Sequence, residues 1–171
     1  MVSESSELGL SDAALYAGIF GLANVVGYPL GGKIGDIARA HWGSCRLAYV
    51  VVGSGVTIGI CFLAWIVNQE ELDLILLTVD LSIIGIFFAA MQTLHMTMTS
   101  DLAPGDMQGQ AFGMWNLVAE VGAILSPVLS GTLRDVTGGW FWATVLTAIL
   151  IGVSVLIVWS VPERSCRTGL R

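Results

Sequence analysis

The sequence predicts an all-α fold, a polytopic membrane helical bundle with five transmembrane helices. Three observations lead there. Apolar side chains make up 55% of the 171 residues, only 12% are charged, and the formal net charge is −6. The mean hydropathy is +0.81. The apolar residues gather in five long runs separated by short polar stretches. A water-soluble globule of this size lacks the polar surface to coat so much apolar side chain. A soluble enzyme and a disordered chain are therefore excluded. The acidic balance also excludes a nucleic-acid partner, which needs clustered Lys and Arg.

Crossing about 30 Å of hydrocarbon takes roughly 20 helical residues, and every run is long enough. Met1–Asp12 is acidic and serine-rich without a basic n-region, so residues 1–12 read as an external segment and not as a signal peptide. The bundle occupies residues 13–161. Span one, Ala13–Ile34, contains Gly27, Pro29 and Gly31, which a membrane helix tolerates. Span two, Leu47–Val67, is polar only through small hydroxyls such as Ser54 and Thr57. Span three, Leu74–Thr97, carries Asp80, Gln92 and His95, and span four, Gly109–Leu133, carries Asn116, Glu120 and Pro127. Span five, Trp140–Val161, again has only hydroxyls, at Thr144, Thr147 and Ser154. Residues 162–171 form a basic tail.

Of the seven Lys and Arg residues, Lys33, Arg39 and Arg46 surround the first loop and Arg164, Arg167 and Arg171 lie in the tail, leaving only Arg134 on the other side. The positive-inside rule then puts the tail in the cytoplasm and the N-terminus outside, in a plasma (inner) membrane. The Glu70-Glu71-Asp73 loop falls outside with the N-terminus. Trp65, Trp140, Trp142 and Trp159 suit interfacial belts, although scattered lipid-facing tryptophan explains them equally well. Cys45, Cys61 and Cys166 show neither a CxxC nor a His-paired spacing, so no metal or other cofactor is expected. Met91, His95 and Met98 share a helix face, but methionine there serves as a gap-filler.

A residue advances about 100° around a helix, which sorts the polar positions into faces. Gly21, Asn24, Tyr28, Gly31 and Gly35 of span one fall within about 80°. Asp80, Gln92, His95 and Thr99 of span three fall within about 120°. Gly109, Gly113, Asn116, Glu120, Pro127, Ser130 and Gly131 of span four fall within about 100°. Glycine stripes alone are equally explained by close packing, as at Gly27-xxx-Gly31 and Gly55-xxx-Gly59. Packing does not explain the carboxyl and amide groups, which are expensive to bury without water or partners. Spans one, three and four are expected to line a polar cavity, and spans two and five to form an outer, lipid-facing layer. Asp80 lies two turns inside the external edge, within expected reach of interfacial water.

Gly32-Lys33-Ile34-Gly35-Asp36 resembles the G-x-x-x-D motif of the major facilitator superfamily, although its basic continuation is reduced to Arg39 and Arg46. Asp101-Leu102-Ala103-Pro104, Gly109, Gly113, Asn116, Gly122, Pro127, Gly131, Asp135 and Gly138-Gly139-Trp140 resemble the last helices of such carriers. They are most similar to those of the anion:cation symporter branch, and Pro162-Glu163-Arg164 faintly resembles the ending of the carboxy-terminal half. The resemblance implies a partial major facilitator fold, helices eight to twelve of twelve. It implies a fragment of a proton-coupled transporter for a small organic solute, such as the anion of a sugar acid. A missing amino-terminal half or a second copy would complete it.

Under that resemblance the substrate-binding candidates are Asn116, Glu120, Gln92, Asn24 and Tyr28. An amide both donates and accepts, which suits a hydroxylated or carboxylate ligand. Glu120, one turn beyond Asn116, is the proton-coupling candidate, because a carboxyl inside a membrane is a functional hypothesis by default. Gly32, Asp36 and Arg39 form the candidate gate, acting through charge pairing and a helix end. No nucleophile–base pair or phosphate-binding loop marks an enzyme. The expected partners are a small-molecule solute, protons and the lipid bilayer. The alternative is a non-transporting membrane subunit or scaffold that packs through glycine-rich helix faces.

Overall fold

The computed structural model describes residues 10–69 and 73–160. Over these residues the chain forms α1 (Leu10–Trp42), α2 (Arg46–Val67), α3 (Leu74–Leu102), α4 (Gln108–Thr137) and α5 (Phe141–Ser160), with no strand. All five are long and apolar enough to cross a membrane. Most of the acidic first segment, Glu70, Glu71 and the tail from residue 161 lie outside the described residues.

Local signals set the helix ends. Helix α1 runs eight residues past Ile34 because Gly35 to Trp42 contains no breaker. It stops at Gly43, whose φ of 70° only glycine adopts freely and whose N–H returns to the Arg39 carbonyl at 3.0 Å. Gly138, with φ 75°, ends α4 in the same way. Asp73 caps α3, its carboxylate accepting from the N–H groups of Ile75 at 2.9 Å and Leu76 at 3.1 Å. Thr57 and Thr147 satisfy their hydroxyls on carbonyls of their own helices, and Thr144 on that of Trp140 just before α5, as expected in lipid.

Helix α3 is the hub, touching α1, α2 and α4, while α5 bridges α2 and α4. Helix α1 lies parallel to α3 on a ladder of small residues, Ala23, Gly27, Gly31, Gly35 and Ala38, all buried. A Cβ on Gly31 would stand 2.6 Å from Ala90 Cα and 2.7 Å from the Ala90 carbonyl oxygen. One on Gly27 would run into the Ile86 carbonyl oxygen. Between apolar helices in lipid, such close approach supplies the van der Waals contact that drives association. Helix α2 sits on α3 through Gly55 against Phe87 and Gly59 against Ile84, and on α5 through Gly53 against Val155.

Three expectations change. The span-one stripe is half a packing seam, since Gly31 and Gly35 face α3 and not an open cavity. Span two borders lipid on one side only. Leu47, Val51, Ile58, Phe62 and Trp65 make a narrow exposed stripe, while Tyr49, Val52, Val56 and Ile60 belong to the core. Asp80 is buried and not at the surface, because Gly59 lets α2 close over it. Helix α4 contributes no buried residue at all.

The α1–α2 turn supplies a reactivity test. Cys45 is buried and its thiol donates to the Gly35 carbonyl at 3.4 Å, whereas Cys61 is exposed. Burial pushes the Cys45 thiol above its ordinary range, lowering its thiolate fraction. In detergent, with Cys166 replaced by serine, N-ethylmaleimide should modify Cys61 and reach Cys45 only on unfolding. Equal modification of both by mass spectrometry would mean the turn is open.

Candidate functional site

The predicted polar residues divide into two groups. The first spans α1 and α3, where the Tyr28 hydroxyl donates to Gln92 Oε1 at 3.0 Å. Tyr28 lies at the edge of the α1 ladder, because the 100° step carries it past the glycines that touch α3. Beside it, the Thr93 hydroxyl approaches the Tyr28 carbonyl at 3.4 Å while donating to Ala89 at 3.1 Å. Asn24, one turn earlier on α1, has its Oδ1 enclosed without a hydrogen-bond partner. Three of the five binding candidates therefore share one α1–α3 neighbourhood.

The second group, Asn116 and Glu120, stands on α4 with both side chains exposed. No hydrogen bond joins either to Tyr28 or Gln92. They lie beside the face that α4 uses for contact, which runs through Gln108, Phe112 and Trp115. Trp115 meets His95 edge-on, with centroids 5.9 Å apart, and His95 meets Tyr49 of α2 at 5.7 Å. Tyr49 in turn lies 3.5 Å from the Ser154 hydroxyl of α5. His95 is therefore an aromatic junction among three helices, and Met91 packs into the core as a gap-filler.

The gate residues take a different arrangement from a loop. Gly32, Asp36 and Arg39 are all inside α1. Arg39 clasps the Asp101 carboxylate of α3, donating to its two oxygens at 2.9 and 2.7 Å. Asp36 is exposed and takes no part in that pair. The side chains of Arg39 and Asp101 are 45% and 38% exposed, so the pair contributes at most about 1 kcal/mol to stability. Its geometry, joining the same ends of two parallel helices, is its main property. Asp101 is the partner that sequence reasoning missed, although its place just past span three was the signal. Trp115 and Tyr49 gave no signal, because an aromatic in an apolar run looks like any lipid-facing side chain.

Amide and phenol groups such as these both donate and accept hydrogen bonds. The Major Facilitator Superfamily profile matches residues 1–169. The chain belongs to the major facilitator superfamily. Among curated relatives, Protein spinster homolog 1 of Homo sapiens is 26% identical over 94% of the chain and 29% of its own length. The protein named "Probable sulfoacetate transporter SauU" of Cupriavidus necator is 28% identical over 91% of the chain and 36% of its own length. Multidrug resistance protein 3 of Bacillus subtilis is 25% identical over 80% of the chain and 25% of its own length. The chain thus spans roughly a third or less of these relatives. No solved structure matches it. As a member of this superfamily it is an integral membrane protein of a transporter family.

Proposed function

We propose that the chain is the helix-eight-to-twelve part of a proton-coupled carrier for a small organic anion, completed by an amino-terminal half or a second copy. The observation that carries this reading is helix α4, which presents Asn116 and Glu120 openly and buries none of its own residues. A polar face left open on α4 suits a solute path enclosed by a further bundle. In the orientation assigned by the basic residues, the N-terminus is outside and the tail lies in the cytoplasm of a plasma membrane. Alternating access would rock the two bundles about this midplane site, with Arg39 and Asp101 latching the cytoplasmic end.

Asn116 would bind the solute, with Gln92, Asn24 and Tyr28 on the facing side. Repulsion between a bound anion and an ionised Glu120 would couple anion arrival to proton uptake. That SauU is named for sulfoacetate, an organic anion, favours this solute class. The scaffold alternative has less support, because Gly27, Gly31, Gly55 and Gly59 make their close approaches within the chain itself.

The test is uptake of a radiolabelled sugar acid into proteoliposomes containing the chain with its complementary half. Asn116→Ala should cut uptake about tenfold or more, the loss of one hydrogen bond to a charged ligand. Uptake unchanged by Asn116→Ala would remove that residue from the site. Uptake by the chain alone, also lost in Asn116→Ala, would make a second copy the completing half.

A further inference from the structure

Asp80 is the one charged-type side chain buried among the described residues, with 5% exposure. It lies on α3 seven residues beyond the Asp73 cap, roughly 10 Å along the helix. Its carboxyl faces α2 at Gly59, where a Cβ would stand 3.9 Å from Oδ1. That Cβ would also meet Ile84 Cγ1 at 2.8 Å, so the two helices are in close approach at this level. Leu77 and Ile84, one turn to either side of Asp80, are buried as well. Among the described residues, Asp80 Oδ2 has no hydrogen-bond partner. An acid placed here was not needed to build the helix, and none of the transport roles above uses it.

The charged surroundings do not compensate it. Helix α2 carries Arg46 and Tyr49 toward its opposite end, and Cys61, which is exposed. Among described side chains, α1 offers Tyr16 at the nearer end, without a hydrogen bond to Asp80, while Lys33, Asp36, Arg39 and His41 lie at the far end. Glu120, Arg134 and Asp135 of α4 are exposed, and α5 has no titratable side chain. The one ion pair among the described residues, Arg39–Asp101, is 21 residues further along α3, roughly 30 Å away. The flanking hydroxyls, Thr78 and Ser82, donate to the carbonyls of Leu74 and Thr78, each at 2.7 Å. A metal cation would need several oxygen ligands, and this site offers a single carboxyl.

We infer that Asp80 is a proton-binding site, its carboxyl holding a proton within the closed seam between α2 and α3. The bound proton removes a charge for which the described residues of the seam offer no counter-ion. Release of the proton requires the seam at Gly59 to part and admit water. Proton occupancy therefore governs how tightly α2 lies on α3, at a place separate from Glu120 on α4. The site stands whether or not the chain moves a solute, since proton binding is read without transport.

Infrared spectroscopy of the chain in lipid bilayers tests this directly. At neutral pH the wild type should show the carbonyl stretch of a protonated carboxylic acid. Labelling aspartate with carbon-13 at the side-chain carboxyl should shift that band, which needs no substitution and so no assumption about folding. The band should vanish in Asp80→Asn and persist in Glu120→Gln. Raising the pH should lower the thermal unfolding temperature of the wild type more than that of Asp80→Asn, whose amide imitates the neutral acid. A wild type with no band that aspartate labelling shifts, or an aspartate-shifted band that survives in Asp80→Asn, would each overturn the assignment.

Discussion

Replacing Gly27 and Gly31 together by alanine is expected to lower the unfolding temperature by roughly 5–20 °C, taking about 1–3 kcal/mol per overpacked site. The obstacle at each site is main chain. The new methyl at Gly31 would press on the Ala90 backbone, and that at Gly27 on the Ile86 carbonyl oxygen. A crowded side chain can change rotamer, but a helix backbone can only move as a body. Helix α1 must then retreat from α3 along the whole ladder, and the Tyr28–Gln92 and Arg39–Asp101 contacts are lost with it. Gly122 and Gly109 of α4 are the matched controls, because nothing lies within 4 Å of a Cβ at either. Alanine there should leave stability unchanged or raise it by up to about 1 kcal/mol through helix propensity. Circular dichroism melts in detergent measure both. If the double variant melts with the wild type, α1 does not sit on α3 through its glycines.

Glu120→Gln, in a restored full-length carrier, is expected to abolish solute accumulation driven by a proton gradient while leaving counterflow exchange within about twofold. An ionised carboxyl at the depth proposed for Glu120 costs several kcal/mol unless it is paired or wet. Its exposed place on α4, one turn from Asn116, allows water to reach it when the cavity opens. Glutamine keeps the size and hydrogen-bonding capacity but cannot take up or release a proton. Exchange needs only the solute site, whereas accumulation needs the proton as well, so the variant separates the two. Accumulation equal to the parent would reduce Glu120 to a structural hydrogen-bonder and move the proton site elsewhere. Failure of the variant to reach the membrane would make it a packing residue.

Much of the architecture was legible in the sequence, because a membrane makes helix formation a local decision. Every backbone N–H and C=O must be satisfied within its own segment, so an apolar run of sufficient length is a helix whatever its neighbours do. The five spans follow from that alone, as do the hydroxyls that bond back to their own helices. The angular step of the helix also placed Asn24, Tyr28, Gln92, Asn116 and Glu120 on defined faces. Membership of a carrier superfamily was visible in the glycines and charges near Asp36 and Asp101.

What the sequence left open was what each face meets. A glycine has no side chain to declare a preference, so the same stripe fits a cavity wall or a packing seam, and at Gly31 and Gly35 the position of α3 decided for packing. Arg39 had charged neighbours near and far along the chain. Only the parallel seating of α1 on α3 selected Asp101. Asp80 looked near enough to the membrane surface to be wet, until the close approach at Gly59 brought α2 over it. Helix number, length and facing come from interactions within a turn or two of chain, and one sequence contains them whole. Neighbour, depth of burial and ion-pair partner depend on how close two helices can come, which is a property of both surfaces together and appears only in the assembled bundle.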